Sequence, residues 1–158
     1  MKIMKRNLFL VLPLLALIVL GEACSTKSDP IPAPTPPLGT FSGTGKLLVK
    51  KSGNTTYDTV KKASPLLLTM TSSGTFKVTG DTLTVHAGSK GLFQLAYASN
   101  GTFVYFIDST YKVGPQTKIH LAGTYQYAFD NGTGNLIIQR SNSVQDSVLR
   151  YDLKKISN

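Results

Sequence analysis

A short phrase recurs along the chain: Gly-Thr-Phe at Gly39, Gly74 and Gly101, then Gly-Thr-Tyr at Gly123. Each copy sets a glycine able to take positive φ before a β-branched residue and an aromatic, which is the chemistry of a turn entering a strand. The spacings of 35, 27 and 22 residues are too irregular for a stacked repeat. From Gly39 onward no long amphipathic helical pattern appears, and Thr-, Val- and aromatic-rich runs alternate with Gly, Asn, Asp and Ser clusters. An antiparallel all-β domain is therefore expected.

Period-2 alternation is clearest near the C-terminus. In TYQYAF, Tyr125, Tyr127 and Phe129 share one face. In SVLRYDLKK, Leu149, Tyr151 and Leu153 face one way, with Val148, Arg150, Asp152 and Lys154 on the other side. DNGTGN separates the strand over 119–129 from LIIQR with an Asn-Gly turn signal, and SNSVQD separates LIIQR from the last strand. Further strands are expected near 41–50, 56–61, 65–71, 75–79, 82–86, 91–98 and 102–108. Short hairpins with few long crossovers favour an up-and-down meander closing as a small β-barrel, with a β-sandwich as the alternative.

The N-terminus carries a different message. Residues 1–7 are basic through Lys2, Lys5 and Arg6, and residues 8–20 are an uncharged, mostly apolar run interrupted by Pro13. Thirteen residues are too few for a comfortable span, which needs about 20. Basic flank, short apolar run and small residues before a break describe a secretory signal peptide, assigned to 1–23. The chain's one cysteine, Cys24, follows directly, with no partner for an internal disulfide. This boundary resembles a bacterial lipoprotein cleavage site, in a looser form similar to that of Bacteroidetes-type lipoproteins. Ala23 fits the position before the cysteine, while Leu20 stands one residue earlier than usual. The resemblance implies that Cys24 is lipidated, palmitate-type chains holding the protein to the membrane, most simply the outer membrane. Each buried lipid CH₂ contributes about 0.8 kcal/mol. Residues 24–38 form the anchor and a tether with five of the eight prolines, and 39–158 the β domain. At about 3.1 Å per residue, a polyproline tether of this length reaches roughly 40 Å.

The folded part, 38–158, resembles the small lipocalin-like lipoproteins of Bacteroidetes in its strand rhythm, above all over LAGTYQYAFDNGTGNLIIQRSNSVQDSVLRYDLKKI. That resemblance implies a barrel able to hold a small ligand. Phe103, Tyr105, Tyr125, Tyr127 and Phe129 are the expected lining. Four triplets of acid, hydroxyl and apolar residue or Thr are similar to the O-glycosylation motif of exported Bacteroidetes proteins, with Thr59, Thr82, Ser109 and Ser147 as acceptors.

Catalytic chemistry is not evident. His86 and His120 sit in separate expected strands beside apolar neighbours, which places both on polar, solvent-facing sides and gives neither a metal-ligand set. There is no Gly-x-Ser-x-Gly elbow, and GTGK at 43–46 does not complete a phosphate loop. The acids are spread among turn positions. No enzyme, metal or cofactor is expected. The formal charge of +9 comes from scattered lysine pairs and no nucleic-acid motif, and export removes nucleic acid as a client. Two functions fit: an envelope lipoprotein whose barrel binds a small apolar or amphipathic molecule, or a structural module whose surface binds an envelope protein or glycan.

Overall fold

The structure, a computed structural model, describes residues 34–51, 53–83, 85–111 and 117–157. The signal peptide 1–23, Cys24 and the tether up to residue 33 lie outside the described residues. Eight strands follow in order: β1 (Gly39–Lys50), β2 (Tyr57–Met70), β3 (Thr75–Gly80), β4 (Lys90–Ala98), β5 (Gly101–Asp108), β6 (Gly123–Asp130), β7 (Asn135–Ser141) and β8 (Ser147–Ser157). Each pairs antiparallel with the next, and β8 returns to β1, so the meander closes as a barrel in sequence order. The closing seam is long, running from Thr40↔Ser157 to Val49↔Ser147. A sandwich would leave that seam open.

Alternation puts one face of each strand inside. Phe41, Leu66, Leu68, Phe76, Val78, Val104, Phe106, Tyr125, Leu136, Ile138, Tyr151 and Leu153 are all buried in one core. The glycines of all four Gly-Thr-aromatic phrases have positive φ, between 76° and 144°. Each one therefore redirects the chain into its strand. The aromatic that follows enters the core in β1, β3 and β6, as Phe41, Phe76 and Tyr125.

Four expected strands are corrected. The segments 56–61 and 65–71 are one strand, β2, despite Pro65. Gly43 pairs with Leu66 and Gly45 with Ala63, so Ser64 and Pro65 together face Thr44 as a bulge. A bulge is where a strand tolerates a proline that cannot donate to the ladder. The described residues of 82–86 form no strand. They belong to a connection whose His86 makes a single parallel bridge to Ile119. The strand expected over 119–129 begins only at Gly123. The compact unit starts at Pro34, and Pro37 is fully buried.

The two rims of the barrel differ. The chain enters at the rim of Gly39, Ala98 and Gly101, where the Tyr97 hydroxyl donates to the Pro34 carbonyl at 3.3 Å. The opposite, distal rim carries the two longest connections, 81–89 and 109–122. They join through Ala87 N–H to Ile119 O at 2.8 Å and Ile119 N–H to Val85 O at 2.9 Å. Leu121 from the second connection is buried in the core. At this rim β3 pairs with β2 only from Leu66 to Met70, so Tyr57–Lys62 project with β1 as an exposed arm.

Gly45 shows how closely the seam is packed. A Cβ there would lie 2.7 Å from Leu66 Cδ1 and 3.1 Å from the Tyr151 ring. Gly45→Val is therefore expected to destabilise the barrel by about 1–3 kcal/mol through overpacking. Urea denaturation checks this, and an unchanged midpoint would mean that the Tyr151 ring has room the structure does not give it.

Candidate functional site

The five expected lining residues divide. Tyr125, Tyr127 and Phe129 face inward, with Tyr125 and Tyr127 buried and Phe129 packed against the core. Phe103 and Tyr105 do not join them. Val104 and Phe106 take the inner face of β5, leaving Phe103 half-buried and Tyr105 46 % exposed on the outer wall. The run TFVYFI is apolar on both faces, so the sequence holds no alternation to choose between them.

Inside, the aromatics pack against one another. Phe106 meets Phe76 at 4.8 Å and Tyr125 at 5.8 Å between ring centroids, Tyr125 meets Tyr151 at 6.2 Å, and Phe41 meets Phe129 at 5.7 Å. All four pairs are edge-to-face, the favoured geometry of packed rings. Eight strands give an interior just wide enough for side chains to fill. Among the described residues, grooves of about 270 and 340 Å³ lie on the outer wall, beside Gln126, Ile137, Gln139 and Arg150 and beside Ser42, Asp152 and Lys154. Grooves of about 340 and 360 Å³ lie at the entry and distal rims.

Polar groups gather below the distal rim. His86, expected on a solvent-facing side, is 1 % exposed. Alternation misplaced it because its segment is a bent connection, in which Leu83 is 86 % exposed. Its Nδ1 lies 2.5 Å from the Ala87 carbonyl, which can only accept, so Nδ1 carries the proton. Nε2 then accepts from the Tyr151 hydroxyl at 2.9 Å. Burial holds the ring below the ordinary histidine pKa, with the Ala87 carbonyl opposing, His120 adding to the shift and Asp108 opposing it. Burial likewise pushes the Tyr151 phenol well up, and the adjacent Tyr125 adds to this.

His120 is also not a free surface histidine. Its Nδ1 lies 2.8 Å from Asp108 Oδ2, with the ring side chain 10 % and the carboxylate 0 % exposed. Asp108 Oδ1 accepts from the Thr110 N–H at 2.8 Å and the Thr110 hydroxyl at 2.6 Å. Burial alone would raise the Asp108 pKa, but the bonds from the Thr110 hydroxyl, His120 and the Thr110 N–H outweigh it and hold the pKa below the usual carboxylate value. The Tyr111 ring packs edge-on against His120, centroids 5.0 Å apart.

Arg140 went unnoticed in the sequence. It follows Leu136 and Ile138 at the inward register of β7, so it stands in the barrel mouth. Its guanidinium lies 4.7 Å over the Tyr125 ring, and Nη1 donates to the Ala122 carbonyl at 2.8 Å. The alternation in NLIIQR already put an arginine on the core face, and that is the signal to look for.

The four hydroxyls of the acid-hydroxyl triplets all lie toward the distal rim. Thr59 and Ser109 are exposed, while Thr82 and Ser147 are half-buried. Their acids serve the fold: Asp58 pairs with Lys51 at 3.1 Å, Asp81 accepts from Ser64 N–H at 3.2 Å, Asp108 accepts from Thr110, and Asp146 accepts from the Asn142 amide at 2.5 Å.

A third feature lies on the outer wall. In the β4–β5 ladder, Leu92 faces Ile107, Gln94 faces Tyr105 and Ala96 faces Phe103. Leu92, Tyr105 and Ile107 are exposed side by side, a contiguous strip of apolar surface on the outer wall. The chain matches no protein-family model, no curated protein and no solved structure. No described helix is long and apolar enough to cross a membrane.

Two tyrosines separate the effects of a paired and an unpaired hydroxyl. The Tyr127 hydroxyl is buried with no hydrogen-bond partner among the described residues. Tyr151→Phe strips His86 of its donor and should cost about 1–3 kcal/mol, whereas Tyr127→Phe should be neutral or stabilising by up to about 1 kcal/mol. Chemical denaturation checks the order, and the reverse order would contradict both assignments. His86 adds a pH dependence. With its folded pKa depressed, the unfolded chain takes up a proton first, so its contribution is complete above about pH 6.5 and is lost as pH falls toward the folded value. Asp108, also depressed, acts only below about pH 4. Thermal midpoints should fall from pH 7 to pH 5, and His86→Gln should flatten that slope. Parallel slopes would remove His86 as its source.

Proposed function

We propose that this protein is a lipid-anchored envelope module that works through its surface, docking a partner protein on the outer wall of β4 and β5. The single observation that carries the reading is the ring-on-ring packing of the inward aromatics. A binder of small apolar molecules needs a cavity of about 300 Å³ or more inside it, and here the inward aromatics pack against one another. Large apolar side chains on the outside are then the unexplained feature. Contiguous exposed apolar surface with a polar rim marks interaction sites. The strip of Leu92, Ile107, Tyr105 and Phe103 has such a rim in Gln94, Thr124 and Gln126.

Aromatics are enriched at interaction surfaces, where a ring supplies contact area at low entropic cost. Lys77 and Lys90 face each other beside the strip, so the partner is expected to set carboxylates next to an apolar contact. The sequence supports the anchoring half of the proposal through the basic flank, apolar run and Cys24, followed by the proline-rich segment.

Site-specific photo-cross-linking of the full chain in its own envelope tests the reading. A photoreactive residue at Tyr105 or Leu92 should give a discrete protein adduct, and one at Lys46, on the opposite part of the wall, should not. Tyr105→Glu, with the photoreactive group at Leu92, should abolish the adduct while the thermal midpoint stays within a few degrees. Equal labelling at Lys46, or adducts that are glycan alone, would overturn a protein-docking strip.

A further inference from the structure

We propose that the distal mouth of the barrel is a binding site for a small ligand bearing an oxyanion, a carboxylate or a phosphate, held between Arg140 and Lys118. The mouth is a groove of about 360 Å³ lined by Tyr111, Lys118, Ile119, His120, Arg140 and Leu149, among others. That volume suits a compact small molecule.

Two cations, Lys118 and Arg140, line this one groove. Lys46 and Arg150 share Asp152 at 3.0 and 2.7 Å, and Lys51 holds Asp58. Arg140 and Lys118, like the surface lysines Lys77 and Lys90, have no carboxylate ion pair among the described residues. Lys118 Nζ donates to the Thr82 carbonyl at 3.0 Å, and Arg140 Nη1 donates to the Ala122 carbonyl. Neutral carbonyls use one donor of each group and leave its charge uncompensated. Asp108, bonded to the groove residue His120, has no exposed side-chain surface, and its other oxygen is engaged by Thr110. Two cations with no anion between them repel, and a bound oxyanion removes that repulsion while accepting charge-assisted hydrogen bonds.

The arginine is also fixed in place. It lies on the Tyr125 face, so its orientation is set before any ligand arrives, which lowers the entropic cost of binding. Gly123 leaves the guanidinium room: a Cβ there would lie 2.9 Å from Arg140 Nη1. Ile119 and Leu149 give the wall an apolar part, which suits a ligand whose charged group sits on a small apolar body.

Titration of the full chain, nitrogen-15 labelled and held in non-ionic detergent micelles at constant ionic strength, tests the site. The probes are inorganic phosphate and, separately, benzoate. Saturable amide shifts confined to Lys118–Gly123 and the residues around Arg140 are expected, with half-saturation below about 50 mM. Response to phosphate alone assigns a phosphate group, response to benzoate alone a carboxylate, and response to both a site that reads charge. Arg140→Gln and Lys118→Gln should each weaken binding about fivefold or more, and Lys77→Gln, on the outer wall, less than about twofold. Lys118→Gln keeps the test decisive if Arg140→Gln loses amide dispersion. The proposal is overturned if neither probe gives a saturable shift, if shifts spread over surface lysines in general, or if Lys77→Gln weakens binding as much.

Discussion

The closure of β1 against β8 is the constraint on which the rest of the molecule depends. A meander of eight strands has two edges, and unless they pair, two rows of backbone donors and acceptors stay open. Here they pair over nearly the whole length of β1. Close approach at that seam needs small residues facing large ones. Gly43 lies where any Cβ would run into the Asp152 backbone, and Gly45 lies beside the Tyr151 ring. The GTGK run, which has the look of a broken phosphate loop, is thus the small side of a packing pair whose large side is Tyr151.

That pair in turn places the polar chemistry. Tyr151 enters the core with its hydroxyl toward the distal rim, where His86 accepts from it. Tyr125 packs on Tyr151 and offers its other surroundings to Arg140. Core, capping connections and mouth are one continuous set of contacts. With the inward rings packed on one another, the proposed recognition chemistry lies on the outer wall and the rim.

Much of this was legible in the chain, for physical reasons that can be named. A glycine before Thr and an aromatic has one strong use, a left-handed turn into a strand, and all four such glycines have it. Alternation in β6 and β8 fixed the inward residues because polar and apolar positions there differ sharply. It failed in β5, where both faces are apolar, and so Phe103 and Tyr105 were assigned to the wrong side. It failed again at His86, since period-2 reasoning holds only for extended strand and the described residues around His86 form none. Pro65 divided β2 on paper, because a bulge that absorbs a proline depends on the partner strand. The mouth was the least legible part: Lys118, His120 and Arg140 come from a connection and a strand end that only the closed ring brings together.

Whether the inward side chains leave any cavity in the barrel is tested most directly by xenon. Xenon enters dry apolar cavities and shifts the methyl resonances that line them. With the full chain under a few atmospheres of the gas, the methyls of Val104, Leu136, Ile138 and Leu153 should show only small, linear, non-saturating shifts. A saturable response at those inward methyls would reveal a cavity among the aromatics, and would return the interior, in place of the wall and the rim, as the seat of function.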